Sequence, residues 1–340
     1  MSTRVRIADV AAAAGVSTAT VSRTLSSPGI VGEETRARVM AAVAATGYRI
    51  NAAARDLRRQ QPRAILVLAP NLANTFFSRI IAAIQDVAGQ AGLAVQISDS
   101  RAGTDMLETM VQGGRADGIV LLDGALRPEM VRNWKLPVIQ LCEWNDDYAL
   151  PGLQIDNAAA ARVAVNHLGD LGHTRILHVA GPSENVLSHA RRAGFEDAMA
   201  ARGLSPEIHQ GGFTIEAGAA AAHAWANIAD RPTAVFTASD ECAFGFISEC
   251  YRLGFKVPRD VSVIGFDDVD FAGHFLPPLT TIHQPRARLG RQAAERLVSA
   301  LQSGTPLGAG YDQIPPHLVI RSSTSACSAS KRTAEQSLRT

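Results

Sequence analysis

The sequence predicts a small all-α head followed by a larger α/β body with parallel sheets. Three observations support this fold class. Residues 1–60 carry short helix-like stretches separated by glycine. After Arg63, short apolar runs alternate with helix-like stretches, which is typical of parallel sheets covered on both faces. The charge also changes near this point, because the head is basic and the rest is mildly acidic.

Length and composition indicate a globular protein of two or three domains. The 340 residues are 46% hydrophobic and 19% charged. No segment has the apolar length of a membrane span and the N-terminus has no signal-peptide core, so we expect a cytoplasmic protein. The cysteines lack CxxC spacing, and we expect buried thiols rather than a metal or redox site at Cys142, Cys242, Cys250 and Cys327.

The net charge of +1 conceals an uneven distribution. Residues 1–60 contain nine arginines, no lysine and four acidic residues, a net charge of +5, so the remaining 280 residues carry −4. A basic head indicates contact with a polyanion. A solvated charged face without a partner is the alternative, and charge alone does not separate the two.

Two short helices joined by a tight turn are predicted at the start of the head. The first, "IADVAAAAG", places four apolar residues on one face: Ile7, Val10, Ala11 and Ala14. Gly15 can end this helix in the left-handed conformation, and Ser17 suits the N-cap of the next. The second helix, "TATVSRTL", has Val21 and Leu25 on its buried side.

The open face of the second helix presents Thr18, Ala19, Ser22 and Arg23. Short side chains allow close approach to another surface, and hydroxyls reach phosphates or base edges. An arginine can also bind guanine O6 and N7 in a bidentate manner. This favours a helix-turn-helix with the second helix in the major groove of DNA. A plain capped helix of a three-helix domain is the alternative.

A third helix, "EETRARVMAAVAATG", has acidic residues in its first turn, an apolar stripe at Val39 and Val43, and an end at Gly47. Asn51 can then cap a short helix that reaches Leu57. This leucine is surrounded by Arg55, Arg58 and Arg59. An isolated apolar side chain among arginines is suited to wedge into a minor groove while the arginines hold phosphates.

Seven apolar runs predict strands in the body: "AILVLAP", "LAVQISD", "GIVLLDG", "PVIQLCE", "RILHVAG", "TAVFTAS" and "VSVIGFDD". A core of about 260 residues is large for one such sheet, so we expect two. Ligands of these folds bind beyond the carboxyl ends of the strands. Polar or aromatic residues stand at those ends: Asn71 to Phe77, Asp99, Glu143, Ser239, Asp240, Asp267 and Asp268.

The head stretches "IADVAAAAGVSTATVSR", "TRARVMAAVAATGY" and "AARDL" resemble the LacI/GalR family of bacterial transcription regulators. The resemblance continues through nearly the whole chain and implies a homodimer on a near-palindromic double-stranded DNA operator. By position, Thr18, Ala19 and Arg23 would read bases. Contacts to phosphate, or helix caps, are implied for Ser17, Thr20, Ser22 and Asn51. Leu57 would insert at the operator centre between Arg55 and Arg58, although Ile50 stands where the family usually has proline.

For the body, the resemblance implies a periplasmic-binding-protein-like fold of two lobes, with chain crossings near residues 160, 290 and 322. Arg191 would enter the cleft, where its planar fork suits adjacent hydroxyls. Asp267 would accept hydroxyl protons, and Phe77 and Phe213 would stack on a ring. Core packing for the aromatics and a strand-end turn for Asp267 are the alternatives when each is taken alone. Further candidates are Phe76, Asn71, Glu143 and Asp240.

The effector class stays open between a sugar and a nucleoside. Stretches such as "VSTATVSR" and "PPLTTI" most resemble the cytidine-type group of the family, but sugar-sensing members share many of these landmarks. The sequence does not give the sign of the response, because a ligand shifts only an equilibrium that it binds differentially. The resemblance favours an inducer that releases DNA.

These features predict four segments: a helix-turn-helix domain at 1–50, a hinge helix and linker at 51–62, a two-lobed effector-binding and dimerisation domain at 63–325, and a tail at 326–340. The predicted function is sequence-specific transcriptional regulation, as a repressor controlled by a small-molecule effector. The alternative is a periplasmic-type binding protein without regulatory DNA binding, which would need a signal peptide instead of a basic head.

Motifs of common enzyme classes are not found in the sequence. GxSxG, HExxH, P-loop and GxGxxG patterns are missing, and the nine histidines lack ligand spacing. The acidic run at 267–270 could suggest a metal, but acids at a strand end usually form a turn. We therefore expect no catalytic activity, no cofactor, no metal and no membrane partner.

Overall fold

A computed structural model describes residues 5–26, 28–48 and 64–327. The chain divides into two compact units, Met1–Pro62 and Arg63–Thr340, which we call the head and the body. The segment 49–63 and the tail from residue 328 lie outside the described residues. The predicted hinge contacts therefore lie outside them too, namely Asn51, Arg55, Leu57 and Arg58.

Three helices form the described part of the head, as the sequence predicts for residues 7–47. Helix α1 spans Ile7–Ala14, α2 spans Thr18–Ser26 and α3 spans Glu33–Thr46, with a 3-10 turn at Pro28–Ile30. Their apolar faces meet in a small core of Val10, Ala11, Ala14, Val21, Val39 and Ala42. Because these residues recur at helical spacing, each helix presents them on one face, and their packing stabilises the head.

The predicted helix ends in the head are confirmed. Gly15 follows α1 with a φ of 62°, and Gly47 follows α3 with a φ of 65°. The Ser17 hydroxyl accepts a hydrogen bond from the Thr20 backbone N–H at 3.1 Å, as an N-cap does. One detail differs, because Thr24 is buried while Leu25 is only half-buried. Thr24 tolerates burial since its hydroxyl donates to the Thr20 carbonyl oxygen at 2.9 Å.

The first lobe of the body is built on a six-stranded sheet. Its strands are Ala64–Ala69 (β1), Ala94–Asp99 (β2), Gly118–Leu121 (β3), Val138–Leu141 (β4), Gly152–Ile155 (β5) and Tyr311–Ile314 (β11). Its helices are Phe77–Gln90 (α4), Thr104–Gln112 (α5), Pro128–Arg132 (α6) and Arg286–Ser303 (α11). All strands are parallel, in the order β11-β5-β4-β3-β1-β2.

The second lobe repeats this design. Its strands are Ile176–Ala180 (β6), Glu207–Gln210 (β7), Ala234–Thr237 (β8), Ser262–Asp267 (β9), Thr280–His283 (β10) and His317–Val319 (β12). Its helices are Asn157–Asp170 (α7), Val186–Ala201 (α8), Ile215–Ala226 (α9) and Asp240–Arg252 (α10). The order is β12-β10-β9-β8-β6-β7, and only the β10–β12 pair is antiparallel.

The chain crosses between the lobes three times, but earlier than predicted. The crossings lie at Asp156, at residues 284–285 and at residues 315–316. The predicted positions near 160 and 290 fall inside α7 and α11, and 322 lies beyond β12. The predicted positions lie too far along the chain because α7, α11 and β12 begin directly after their crossings. Asp156, for example, already caps α7 by accepting from the Ala159 N–H at 2.9 Å.

Burial explains why the apolar runs marked the central strands. Strands β1, β3, β4, β6, β8 and β9 are buried along their full length. All four cysteines are buried, as expected. Within the described residues, no helix is both long and apolar enough to cross a membrane.

Candidate DNA-binding face and ligand cavity

One face of α2 carries the predicted DNA contacts of the described head. Ser17, Thr18, Ala19 and Arg23 are exposed, while Thr20 and Ser22 are partly exposed. The Ser17 and Thr20 hydroxyl oxygens lie 3.0 Å apart, so these two side chains stabilise the start of the helix. Among the described residues, nothing hydrogen-bonds or ion-pairs with the Arg23 side chain. Its guanidinium is thus available to an external partner.

A cavity lies between the two lobes of the body. It is lined by Asn74, Phe76, Phe77, Leu122, Cys142, Glu143, Leu187, Arg191, Phe213, Ser239, Asp267 and Gln284. Most of these residues stand at or just after the carboxyl ends of β1, β3, β4, β7, β8 and β9, as expected for ligand sites of parallel sheets. Asn71 and Asp240 do not line the cavity, while six of the eight predicted effector contacts are brought together here: Phe76, Phe77, Glu143, Arg191, Phe213 and Asp267.

Arg191, on α8, is buried in the wall of this cavity. Its Nε donates to Asn157 Oδ1 at 3.0 Å, and its Nη1 donates to the Ala238 carbonyl oxygen. The guanidinium carbon lies 3.6 Å from the centroid of the Phe266 ring, a cation–π distance. Burial lowers the pKa of Arg191 to about 10 and the charges of Asp267 and Glu143 oppose this, so the side chain stays cationic at neutral pH.

Asp267 ends β9 with a backbone φ of 125°, in the region that favours glycine. Such a conformation costs on the order of 1–3 kcal/mol and persists where the surroundings fix it. Asp267 Oδ1 accepts from Gln284 Nε2 at 2.7 Å. Burial raises the pKa of Asp267 to about 6, and the charge of Arg191 opposes the rise. The carboxylate is therefore aimed and held by a residue of the second crossing.

Glu143 joins the two lobes at the cavity wall. Its Oε2 accepts from the Gly124 N–H at 3.0 Å in the first lobe, and its Oε1 accepts from Asn185 Nδ2 at 2.9 Å in the second. Burial raises the pKa of Glu143, and the hydrogen bond from Gly124 works against the rise. Both oxygens are thus already used in the closed cleft.

Aromatic rings supply the apolar walls. The Phe76 and Phe77 rings meet edge to face, with centroids 5.3 Å apart. The Phe213 ring lies 5.6 Å from the guanidinium carbon of Arg191. A Cβ atom on Gly181, just after β6, would lie 2.5 Å from Phe213 Cε1. Gly181 therefore leaves the space that the Phe213 ring occupies.

Asp240 does not line the cavity, although the sequence suggested it. Its side chain is fully buried at the start of α10. Oδ1 accepts from Thr281 Oγ1 at 2.5 Å and Oδ2 accepts from the Val269 N–H at 2.8 Å. Burial raises the pKa of Asp240 to about 8, and the charge of Asp267 adds to the rise. The structure supports a role in fixing the loop after β9.

The neighbouring acids, Asp268 and Asp270, take part in ion pairs at the lobe boundary. Asp268 accepts from Arg321 Nη2 at 2.6 Å and from His283 Nδ1 at 2.8 Å. The part of the chain that the structure describes contains no group of three or more side chains placed to hold a metal ion. The acidic run is a turn with polar contacts.

Contacts outside the cavity hold the lobes together. The Thr75 N–H and hydroxyl of the first lobe donate to Glu241 Oε1 of the second, at 3.1 and 2.9 Å. Asp270 of the second lobe pairs with Arg79 at 2.7 Å and with Arg286 at 2.8 Å, both from helices of the first lobe. With the Asn185–Glu143 contact, these bonds close the cleft.

The enclosed space is small in this closed form. The cavity measures about 50 Å³, against the roughly 300–1,000 Å³ of ordinary small-molecule sites. A sugar or nucleoside would enter only if the lobes separated. The contacts between the lobes therefore limit the space that the cavity offers to a ligand.

The sequence did not predict the lining residues Leu122, Cys142 and Leu187, nor three residues that position others in the site. Asn157 orients Arg191, Gln284 orients Asp267, and Gly181 makes room for Phe213. Asn157 and Gln284 are polar residues beside the lobe crossings, which is the one signal that could have marked them. Gly181 carries no signal, because its role depends on a ring 32 residues away.

Comparison with known proteins identifies the family. "Bacterial regulatory proteins, lacI family" matches residues 6–51, and "Periplasmic binding protein-like domain" matches residues 165–324. The HTH-type transcriptional repressor CytR of Escherichia coli (strain K12) is 39% identical over 328 residues, covering 94% of this chain and 96% of the relative. The chain belongs to the lacI family of bacterial regulatory proteins.

Other members of the lacI family agree with this assignment. The HTH-type transcriptional repressor PurR of Photobacterium profundum is 34% identical, over 93% of this chain and 98% of its own. The Lac repressor dimer, solved bound to operator and the anti-inducer ONPF, superposes with a TM-score of 0.83 at 30% identity, over 95% of this chain and 99% of that one. In this lacI-family protein, α1–α3 form the helix-turn-helix head of a transcriptional regulator and the two lobes form its periplasmic-binding-protein-like body.

Proposed function

We propose that this lacI-family protein is a transcriptional repressor whose operator binding is controlled by a sugar or nucleoside bound between the lobes. It acts in the cytoplasm, as a homodimer on a near-palindromic double-stranded operator. The assigned activity is binding rather than catalysis. The proposed segments are the helix-turn-helix head at 1–50, the hinge helix and linker at 51–62, and the two effector-binding lobes at 63–325.

The observation that carries the proposal is the meeting of Arg191 and Asp267 in one interlobe cavity. A guanidinium offers hydrogen bonds to hydroxyl oxygens, and a carboxylate accepts hydroxyl protons, which suits vicinal hydroxyls of a sugar or ribose. Arg191 is bonded to Asn157 and Asp267 to Gln284, and each partner lies beside a crossing between lobes. A ligand that displaces the Arg191 or Asp267 side chain therefore also acts on the segments that cross between the lobes.

The aromatic residues complete the effector site. Phe76, Phe77 and Phe213 offer apolar faces on which a sugar or a base can stack. Glu143 would bind effector hydroxyls when the Asn185 contact opens. Asp240 does not line the cavity and supports it by fixing the loop after β9.

For the head, we assign base reading to Thr18, Ala19 and Arg23. Phosphate contact is assigned to Ser17 and Thr20, at the N-terminus of α2 where backbone N–H groups favour anions, and to Ser22 on the next turn. Asn51, Arg55, Leu57 and Arg58 remain predicted hinge contacts from the family resemblance.

The test is effector titration by calorimetry on the purified full chain and on Arg191→Ala and Asp267→Ala. A charge-assisted hydrogen bond contributes about 1.5–3 kcal/mol, so each change is expected to weaken effector binding at least about tenfold. Operator affinity without effector should be retained, because the substitutions lie in the body. Arg192→Ala is the matched control, since Arg192 follows on the same helix but pairs with Glu196 on the surface. Wild-type effector affinity in both cavity variants would contradict the assignment.

A further inference from the structure

We infer that the effector is an unphosphorylated compound, and that the cleft rejects phosphorylated relatives by charge. The inference rests on the proposed function of the cavity as the effector site. It narrows the effector class from sugars and nucleosides in general to their neutral forms.

The inner cavity offers little positive charge to a phosphate. Of the side chains that line it, Arg191 is the one cation, against the carboxylates Glu143 and Asp267. Two nitrogens of Arg191 are already committed to Asn157 and to the Ala238 carbonyl, and one face of its guanidinium lies over Phe266. Only Nη2 has no hydrogen-bond partner among the described residues. One donor group cannot neutralise a phosphate dianion beside two carboxylates.

A second, outer cavity adds more negative charge. It measures about 390 Å³, shares Glu143 with the inner cavity and lies at the same edge of both lobes. Its rim carries the exposed carboxylates Asp146, Asp147 and Glu184. Among the described residues that line the rim there is no lysine or arginine, and His189 already contacts the Ser183 carbonyl oxygen.

Side-chain caps already take part of the backbone N–H groups at two helix N-termini beside the cleft. Helix N-termini are the usual anion sites of α/β proteins, and α8 and α10 begin here. Asn185 Oδ1 accepts from the Leu187 N–H at 2.9 Å, and Ser239 Oγ accepts from the Cys242 N–H at 3.1 Å. A phosphate would therefore exchange its hydration for few donors beside several carboxylates, and poorly paired charge of this kind is how a site rejects a near relative.

The experiment compares matched pairs on the full chain by calorimetry: ribose with ribose 5-phosphate, and cytidine, uridine and adenosine with their 5′-monophosphates. The neutral member of the pair that binds is expected to bind at least about tenfold more tightly. The difference should shrink as salt rises from about 0.05 to about 0.5 M, because exposed carboxylates are screened beyond a Debye length of about 10 Å at 0.1 M. A phosphorylated compound that binds as tightly as its neutral partner would overturn the inference.

A charge variant separates repulsion from size. Asp146→Asn, Asp147→Asn and Glu184→Gln together should reduce the difference between neutral and phosphorylated ligand by about threefold or more. The control neutralises Asp105, Glu108 and Glu129, which are exposed in the first lobe and line neither cavity, and should leave the difference unchanged. An unchanged difference in the rim variant would overturn the role of the rim charges. Failure of the proposed function is a separate result, since it would appear as ligand binding that Asp267→Ala does not weaken.

Discussion

At the scale of single residues, the cavity depends on polar side chains that orient other polar side chains. Arg191 and Asp267 were predicted from family resemblance, and both line the cavity. Their partners Asn157 and Gln284 could not be predicted, because hydrogen bonds between residues 34 and 17 positions apart have no signature in spacing. The strained φ of Asp267 is likewise a property of the assembled turn.

Effector affinity should depend on pH through Asp267. Its pKa is raised to about 6 by burial, so the carboxylate is ionised at neutral pH and becomes protonated as the pH falls through 6. The ionised form is the better acceptor of hydroxyl protons. We expect affinity to be full above pH 7 and to fall about tenfold by pH 5. Calorimetry across this range measures it, with Asp267→Asn as the control that should bind weakly and lack the tenfold fall between pH 7 and pH 5. An equally flat profile for the unmodified chain would contradict the role of Asp267.

Arg23→Ala should reduce operator specificity. The side chain is exposed on α2 and no described residue binds it. A bidentate contact to guanine is worth about 1–3 kcal/mol of discrimination, so specific binding should weaken about 5- to 150-fold while non-specific binding changes little. Arg36→Ala is the control, because Arg36 pairs with Glu33 on α3. Titration of both variants with operator and with random DNA tests this. An equal loss of affinity for both kinds of DNA would mean that Arg23 contacts only phosphate.

At the scale of elements, the sequence revealed the strands that carry an apolar run, including the exposed edge strand β2, and missed strands that are more polar. The seven apolar runs all form strands. Strands β7, β11 and β12 were missed because they are sheet edges with exposed residues, so no continuous apolar run marks them. Strands β5 and β10 are buried, but β5 contains Gln154 and β10 begins with two adjacent threonines, so neither forms a continuous apolar run. Their burial depends on neighbours that are distant in sequence.

The interlobe ion pair of Arg79 and Asp270 should limit access to the cavity. Both side chains are more than half exposed, so the pair contributes at most about 1 kcal/mol. Since the closed cavity is too small for a ligand, Arg79→Ala should raise the ligand association rate up to about fivefold at low salt. At high salt, where the ion pair is screened, the ligand association rate of the unmodified chain should approach that of the variant. Stopped-flow kinetics measure this against Arg162→Ala, which removes a pair to Asp197 within the second lobe. Equal rates in all three proteins would exclude a gating role.

At the scale of the whole molecule, the change of charge and pattern near residue 63 coincides with the boundary between the two compact units. The sequence also predicted two sheets, and the family resemblance implied three crossings between them. It could not predict the closed cleft, because the contacts of Thr75 with Glu241 and of Glu143 with Asn185 form only when the lobes meet. We propose that ligand control of DNA binding is a property of lobe position, above the level of any single element.

The most direct test of this control is thermodynamic reciprocity. If the effector changes operator affinity by some factor, operator must change effector affinity by the same factor. We expect effector affinity, measured by calorimetry on the free dimer and on the dimer saturated with operator, to differ by at least about fivefold, and to match the change in operator affinity with and without effector. Equal effector affinity for the free and the operator-bound protein would contradict the account.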